Sequence, residues 1–191
     1  GTDAALADPS LFQVFTLPLL AGNPQTALAT PNSLVISARL AKKYFNTTEA
    51  LGQVLQTGDD TTSYIVTGVI KDMPAQSHFH LDLIKSLPSK KLMPSIAWIN
   101  LYSATYILTL PGITTAAMDA MLDKTTKKYI DPQLQQQLHN AAHDMEAKGN
   151  YFRYYSMPLL RIHLHSNVTG EFEPNGNIRY IYILVVLAAI I

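Results

Sequence analysis

Twelve residues at the end of the sequence, Tyr180 to Ile191, carry no charge and no strongly polar group. An element with no polar face is surrounded either by protein or by lipid. A bilayer span needs about 20 such residues, so this run is too short to cross by itself. It fits a buried terminal element or the first turns of a transmembrane helix. Arg179, Tyr180 and Tyr182 stand at its start, as interfacial anchors do, since Tyr is enriched at membrane surfaces and Arg snorkels. Residues 178–191 are therefore expected to begin a transmembrane helix.

The remaining sequence is apolar enough to build a core. Of 191 residues 48% are hydrophobic and only 15% charged, against roughly 25% charged in ordinary soluble domains. With 9 Gly and 11 Pro, disordered and collagen-like chains are excluded. Fourteen basic residues balance fourteen acidic ones, so no net field gathers a polyanion and nucleic acid is not an expected partner. Absence of cysteine removes disulfides, thiolate metal sites, Fe–S clusters and Cys nucleophiles. Gly1-Thr2-Asp3 offers no basic region of a signal peptide, and the chain is expected to start within a longer protein.

Hydrophobic spacing then sketches the elements. Pro9, Pro18, Pro24 and Pro31 allow only short helix at the start, with a short apolar element over Leu11–Phe15. Ser33–Ile36 reads as a buried strand, and Ser37 caps a helix over Ala38–Phe45. Gln53–Thr57 and Ser63–Ile70 form a β-hairpin around Gly58-Asp59-Asp60, and Phe79, Leu81 and Leu83 alternate as a further strand. Phe45 and Val69 are expected in one core. Residues 86–95, with Pro88, Pro94, three Ser and two Lys, read as a linker. Beyond it, Tyr102, Ala104, Tyr106, Leu108 and Leu110 share one face of a predicted strand. Thr114 or Thr115 caps a helix with an inward stripe of Met118, Met121, Leu122, Thr125 and Tyr129. A second helix restarts at Asp131-Pro132 and stops at Gly149-Asn150. Tyr151–Tyr155 and Leu159–Leu164 are predicted strands, and Asn175-Gly176 a tight turn. The class is α+β.

No phosphate loop, nucleophile elbow, His-Glu-x-x-His or dinucleotide fingerprint occurs. Histidine alone clusters: His78 with His80, His139 with His143, His163 with His165. Each pair is spaced to offer two zinc or copper ligands from one face, and a closed site needs a third or fourth. Such residues are more commonly polar strand-face and helix-surface positions, which is the expectation here. Asp59 and Asp60 read as turn residues, and Lys90-Lys91 and Lys127-Lys128 as solvated charge. No catalytic, cofactor-binding or metal-binding residue is assigned, and no cofactor is expected.

One ordered set of segments is familiar. Pro9-Ser10-Leu11-Phe12-Gln13-Val14-Phe15 precedes Pro18-Leu19-Leu20-Ala21-Gly22-Asn23-Pro24, then Ala38-Arg39-Leu40-Ala41-Lys42-Lys43-Tyr44-Phe45 and Ala50-Leu51-Gly52-Gln53. Tyr64-Ile65-Val66-Thr67-Gly68-Val69-Ile70-Lys71-Asp72-Met73-Pro74 and Ser77-His78-Phe79 follow, and Ile162-His163-Leu164-His165-Ser166 comes before Asn175-Gly176-Asn177. This succession resembles the MacB-like periplasmic core domain of FtsX-type ABC-transporter permeases, in the version common in Bacteroidetes.

The resemblance implies a mixed-sheet periplasmic core. Residues 10–95 would be a strand-rich, Sabre-like subdomain, and residues 96–170 a partial porter-like α/β subdomain whose opening strand–helix unit is absent. Residues 178–191 would start the second transmembrane helix. It also implies a non-enzymatic domain in the inner membrane, facing the periplasm, that couples cytoplasmic ATP hydrolysis to periplasmic movement for export or efflux. Its partners would be a cytoplasmic ABC ATPase, a second permease copy, a periplasmic adaptor or substrate protein, and the membrane through flanking helices. The alternative is a periplasmic metal-binding or hydrolytic module built on the histidine pairs. A soluble ligand-binding protein is disfavoured by the apolar tail.

Overall fold

The structure, a computed structural model, describes residues 3–57, 62–87, 103–138, 153–166, 168, 171–174 and 176–190. It divides into two compact units, residues 1–94 and 95–191.

The first unit is built on one six-stranded mixed sheet. Its strands are β1 (Ala4–Ala7), β2 (Leu19–Gly22), β3 (Ser33–Ser37), β4 (Val54–Gln56), β5 (Ser63–Ile70) and β6 (Leu83–Ser86). The order is β1-β6-β3-β5-β2, with β4 alongside β5. β3 lies parallel to β5 and antiparallel to β6; β1 is parallel to β6, while β2 and β4 run antiparallel to β5. All five residues of β3 are buried, which suits the uninterrupted Leu34-Val35-Ile36 run of a central strand.

Alternation along the strands sorts the core into two layers. Leu34, Ile36, Tyr64, Val66 and Val69 join helix α2 (Ala38–Phe45) on one face, with Phe45 packed at the margin. Val35, Ile70 and Ile84 meet Ala27, Leu28 and the short helix α1 (Leu11–Val14) on the other. Phe45 and Val69 thus share one core, as expected. α2 begins where the Ser37 hydroxyl accepts from the Leu40 amide at 3.1 Å and ends at Asn46 in the left-handed region, the cap geometries these residues favour. The hairpin of β4 and β5 also forms.

Three features of this unit differ from the reading of the sequence. β1 and β2 were not foreseen as strands, because two of the four β1 residues show only intermediate burial and β2 sits among prolines. β6 starts at Leu83, not at Phe79. The alternation of Phe79, Leu81 and Leu83 ends at Asp82, whose amide and that of Leu83 both donate to the Asp3 carbonyl as β1 begins.

In the second unit the described residues contain helices and no strand. They are α3 (Thr115–Thr125), continued by a π-helical segment (Thr126–Ile130) into α4 (Asp131–Leu138), then α5 (Leu159–His165) and α6 (Ile178–Ile190). Thr114 caps α3, its hydroxyl accepting from the Ala117 amide at 3.2 Å. Pro132 brings no N–H and would clash with a preceding α-turn. The helix widens just before it, the Asp131 amide reaching back to the Thr126 carbonyl, five residues away, as in a π-bulge. The extra residue rotates the helix face within and beyond it. Thr126 and Ile130 are buried, while Met121 and Tyr129, both expected inside, are exposed. The predicted strands over 102–110 and 151–155 are absent in their described parts, residues 103–110 and 153–155, which form neither helix nor strand. Leu159–Leu164 is helical, beginning directly after Pro158, which stands in the cap position with a non-helical ψ of 132°.

Candidate functional site

The histidines do not converge. His78 and His80 flank buried Phe79 in a bend; the His80 Nε2 lies 3.0 Å from the Pro74 carbonyl, and the His78 ring stands edge-on to Phe79 at 5.9 Å. His163 and His165 lie on α5, where residues two apart point to opposite sides of the helix, so the shared face expected of a strand is lost. His139, His143, Asp59, Asp60, Lys90 and Lys91 fall outside the described residues. Lys127 and Lys128 sit exposed in the π segment, the Lys128 ammonium 4.9 Å from the Tyr129 ring centroid. Among the described residues no three His, Asp or Glu side chains gather to hold a cation.

The most closely knit polar group in the first unit surrounds Asp82. Its Oδ1 accepts from the Ser37 hydroxyl at 2.8 Å and its Oδ2 from the Arg39 guanidinium at 2.7 Å. The Asp82 carbonyl accepts from the Ser37 amide, and the Asp82 amide donates to the Asp3 carbonyl. Asp72 adds a bond from the Arg39 amide at 2.9 Å. Burial pushes the Asp82 carboxyl upward, but the hydrogen bonds from Arg39 and Ser37 and the Arg39 charge outweigh it, leaving the pKa below the ordinary value. Ser37 donates to a carboxylate and caps a helix, with no base to take its proton. The group therefore fastens the ends of β1, β3 and β6 rather than forming a nucleophile.

The second unit has a comparable fastening. Asp119 on α3 accepts from both the amide and the hydroxyl of Ser156 at 2.7 Å, and one turn on Asp123 pairs with Arg153 at 3.0 Å. The bonds from the Ser156 amide and hydroxyl hold the Asp119 carboxyl below its ordinary value. Burial, aided by the Glu171 charge, raises the Tyr106 phenol to about 12. None of these groups was singled out in the sequence, because the partners are 30 or more residues apart and no local pattern joins them.

The surface carries a different signal. α6 has no buried residue along its whole length, and from Ile181 onward its Ile, Leu and Val side chains are exposed. At about 1.5 Å per residue its 13 residues reach roughly 20 Å. No helix among the described residues is long and apolar enough to cross a membrane. In the first unit, Phe12, Phe15, Leu17 and Leu19 line a shallow open hollow beside β2.

A mixed-sheet α+β unit fastened by structural carboxylates stands in a chain whose described part ends in a helix apolar all round. Residues 2–125 match the MacB-like periplasmic core domain, and the chain belongs to that family, the periplasm-facing part of ABC-transporter permeases. Among solved structures it is similar to one described as "a domain of a putative Permease protein from Porphyromonas gingivalis". The two share 23% identity and superpose with a TM-score of 0.52 over 68% of this chain and 60% of that one. The chain thus spans under two thirds of that relative's length, and the likeness speaks to the fold. No curated protein matches the chain.

Proposed function

We propose that this chain is a non-catalytic periplasmic domain that couples ATP hydrolysis in the cytoplasm to conformational change in the periplasm, for export or efflux. The family match over residues 2–125 carries this reading. Two physical features support it: the polar clusters around Asp82 and Asp119 fasten elements together, and α6 offers an apolar surface suited to lipid. On this reading residues 10–95 are the Sabre-like subdomain, residues 96–170 the partial porter-like one, and residues 178–191 the start of a transmembrane helix. A cytoplasmic ABC ATPase, a second permease copy and a periplasmic adaptor or substrate protein are the partners.

The test uses the parent permease dimer with its ATPase in nanodiscs. The chain has no native cysteine, so with any cysteine elsewhere in the permease replaced by serine, Leu6→Cys at an exposed position of β1 gives one spin label per copy. The distance distribution between the two labels is expected to shift between nucleotide-free and ATP-bound states. Identical distributions in both states would remove the coupling role.

A further inference from the structure

A backbone hydrogen bond ties α5 to the residue that precedes the cap of α6. The Gly176 amide donates to the His163 carbonyl at 2.7 Å, in the last turn of α5. Carbonyls there have no partner within their own helix and need one from outside. Next in sequence, Asn177 caps α6: its side-chain oxygen accepts from the Arg179 amide at 2.9 Å, and its carbonyl from the Tyr180 amide at 3.0 Å. The bonded amide and the cap of the apolar helix are thus consecutive residues, with no flexible chain between them. The approach is close as well as bonded. A Cβ at position 176 would lie 3.2 Å from both the His163 Nε2 and the Leu164 Cδ2.

We infer that Gly176 is a positioning residue, the joint that fixes the direction of α6 to α5. A chain that folds in water and continues into lipid can pass force across that border only where the two are rigidly joined. A loose linker would absorb the displacement as changes in its own φ and ψ. Here the described linkage includes a backbone hydrogen bond and, at the next residue, a helix cap. The consequence for transport rests on the reading of α6 as membrane-directed, which the nanodisc measurement tests separately. The joint itself does not.

Substitutions at 176 separate the bond from the contact. Gly176 lies outside the left-handed region, so Gly176→Ala adds no backbone strain, and it keeps the N–H. Its Cβ meets the tips of two side chains, which can give by a few tenths of an ångström. Gly176→Pro deletes the donor. Spin labels at Leu160→Cys on α5, which is 94% exposed, and at Leu187→Cys on α6 report the angle between the helices, with the full 191-residue chain in detergent micelles. The expected result is one narrow distance distribution for the parent and for Gly176→Ala, and at least a twofold broader one for Gly176→Pro. A parent distribution as broad as that of Gly176→Pro overturns the joint, and so does Gly176→Ala broadening as much as Pro. Should the Pro variant fail to fold, amide exchange in the unsubstituted chain decides. Protection of the Gly176 amide by tenfold or more over an open amide supports the joint, and free exchange overturns it.

Discussion

Asp82 does at the scale of one residue what its sequence neighbourhood gives no hint of. Its side chain is 8% exposed and its partner Arg39 is 70% exposed, so the pair is a buried acceptor held by a solvated donor. Ion pairs with an open partner contribute little by themselves; an amide in place of the carboxylate keeps one oxygen for the Ser37 hydroxyl but turns an NH2 group toward the Arg39 guanidinium, and the cost lies in that donor–donor contact and the loosened strand ends. Asp82→Asn should therefore lower stability at pH 7 by about 1–3 kcal/mol, read from urea midpoints. The pH dependence has a definite sign. A carboxyl whose folded pKa is depressed contributes stability above its unfolded pKa of about 4, and that contribution disappears as pH falls through the folded value. The parent should lose stability on acidification through that window, and Asp82→Asn should lose less. Equal acid slopes in the two chains would place the titration elsewhere. Local features were legible at this scale: Ser37 as a helix cap follows from its place before an amphipathic run. The partnership of Ser37, Arg39 and Asp82 was not, since 45 and 43 residues separate the acid from its partners. Gly22 carries no local pattern beyond its place in Pro18-Leu19-Leu20-Ala21-Gly22-Asn23-Pro24. Its φ of +99° and the Thr67 carbonyl 2.5 Å from where a Cβ would stand show why glycine is required there.

Elements were legible where their own sequence determines them. The Ser33–Ser37 strand, the Ala38–Phe45 helix and the hairpin carry strong local patterns, and all three form. Where the pattern was right but the partner missing, the reading failed. Residues 103–110 alternate as a strand should, yet a strand exists only through its ladder, and no described strand lies in that unit. Leu159–Leu164 shows the ambiguity of a short apolar run, which periodicity alone cannot assign. The π segment leaves Tyr129 outside and Ile130 inside because Pro132 acts on the turn before it, an effect that a strict count of threes and fours overlooks. Two caps that look alike in sequence should differ in consequence. Thr114→Ala removes an exposed bond and should cost about 1 kcal/mol. Ser37→Ala removes the α2 cap and one of the bonds to Asp82, and should cost about 2 kcal/mol or more. Thermal or urea unfolding of the two variants compares them directly. A smaller loss for Ser37→Ala than for Thr114→Ala would show that the Asp82 group is not a fastening.

For the whole molecule, the sheet unit and the apolar helix have separate physical roles. The buried hydrophobic residues of the described chain belong to the first unit, apart from Ile130, and none lies on α6. Deleting Ile181 to Ile191 should leave the unfolding transition nearly unchanged and reduce self-association, as followed by sedimentation velocity. Loss of a cooperative transition would make α6 a core element. The α+β class and the family resemblance were both legible before any coordinates, because they rest on an ordered set of segments rather than on one motif. The histidine pairs show the opposite case: spacing suggested shared faces, and the helical state of α5 separates the one pair it contains. The central claim is that this domain faces the periplasm from an inner-membrane permease. The direct measurement is labelling of the parent permease in intact spheroplasts with a membrane-impermeant maleimide, using one cysteine placed at Leu6, in a domain without native cysteine. Labelling should be as complete before lysis as after it. A cysteine reached only after the membrane is opened would put the domain on the cytoplasmic side and contradict the account.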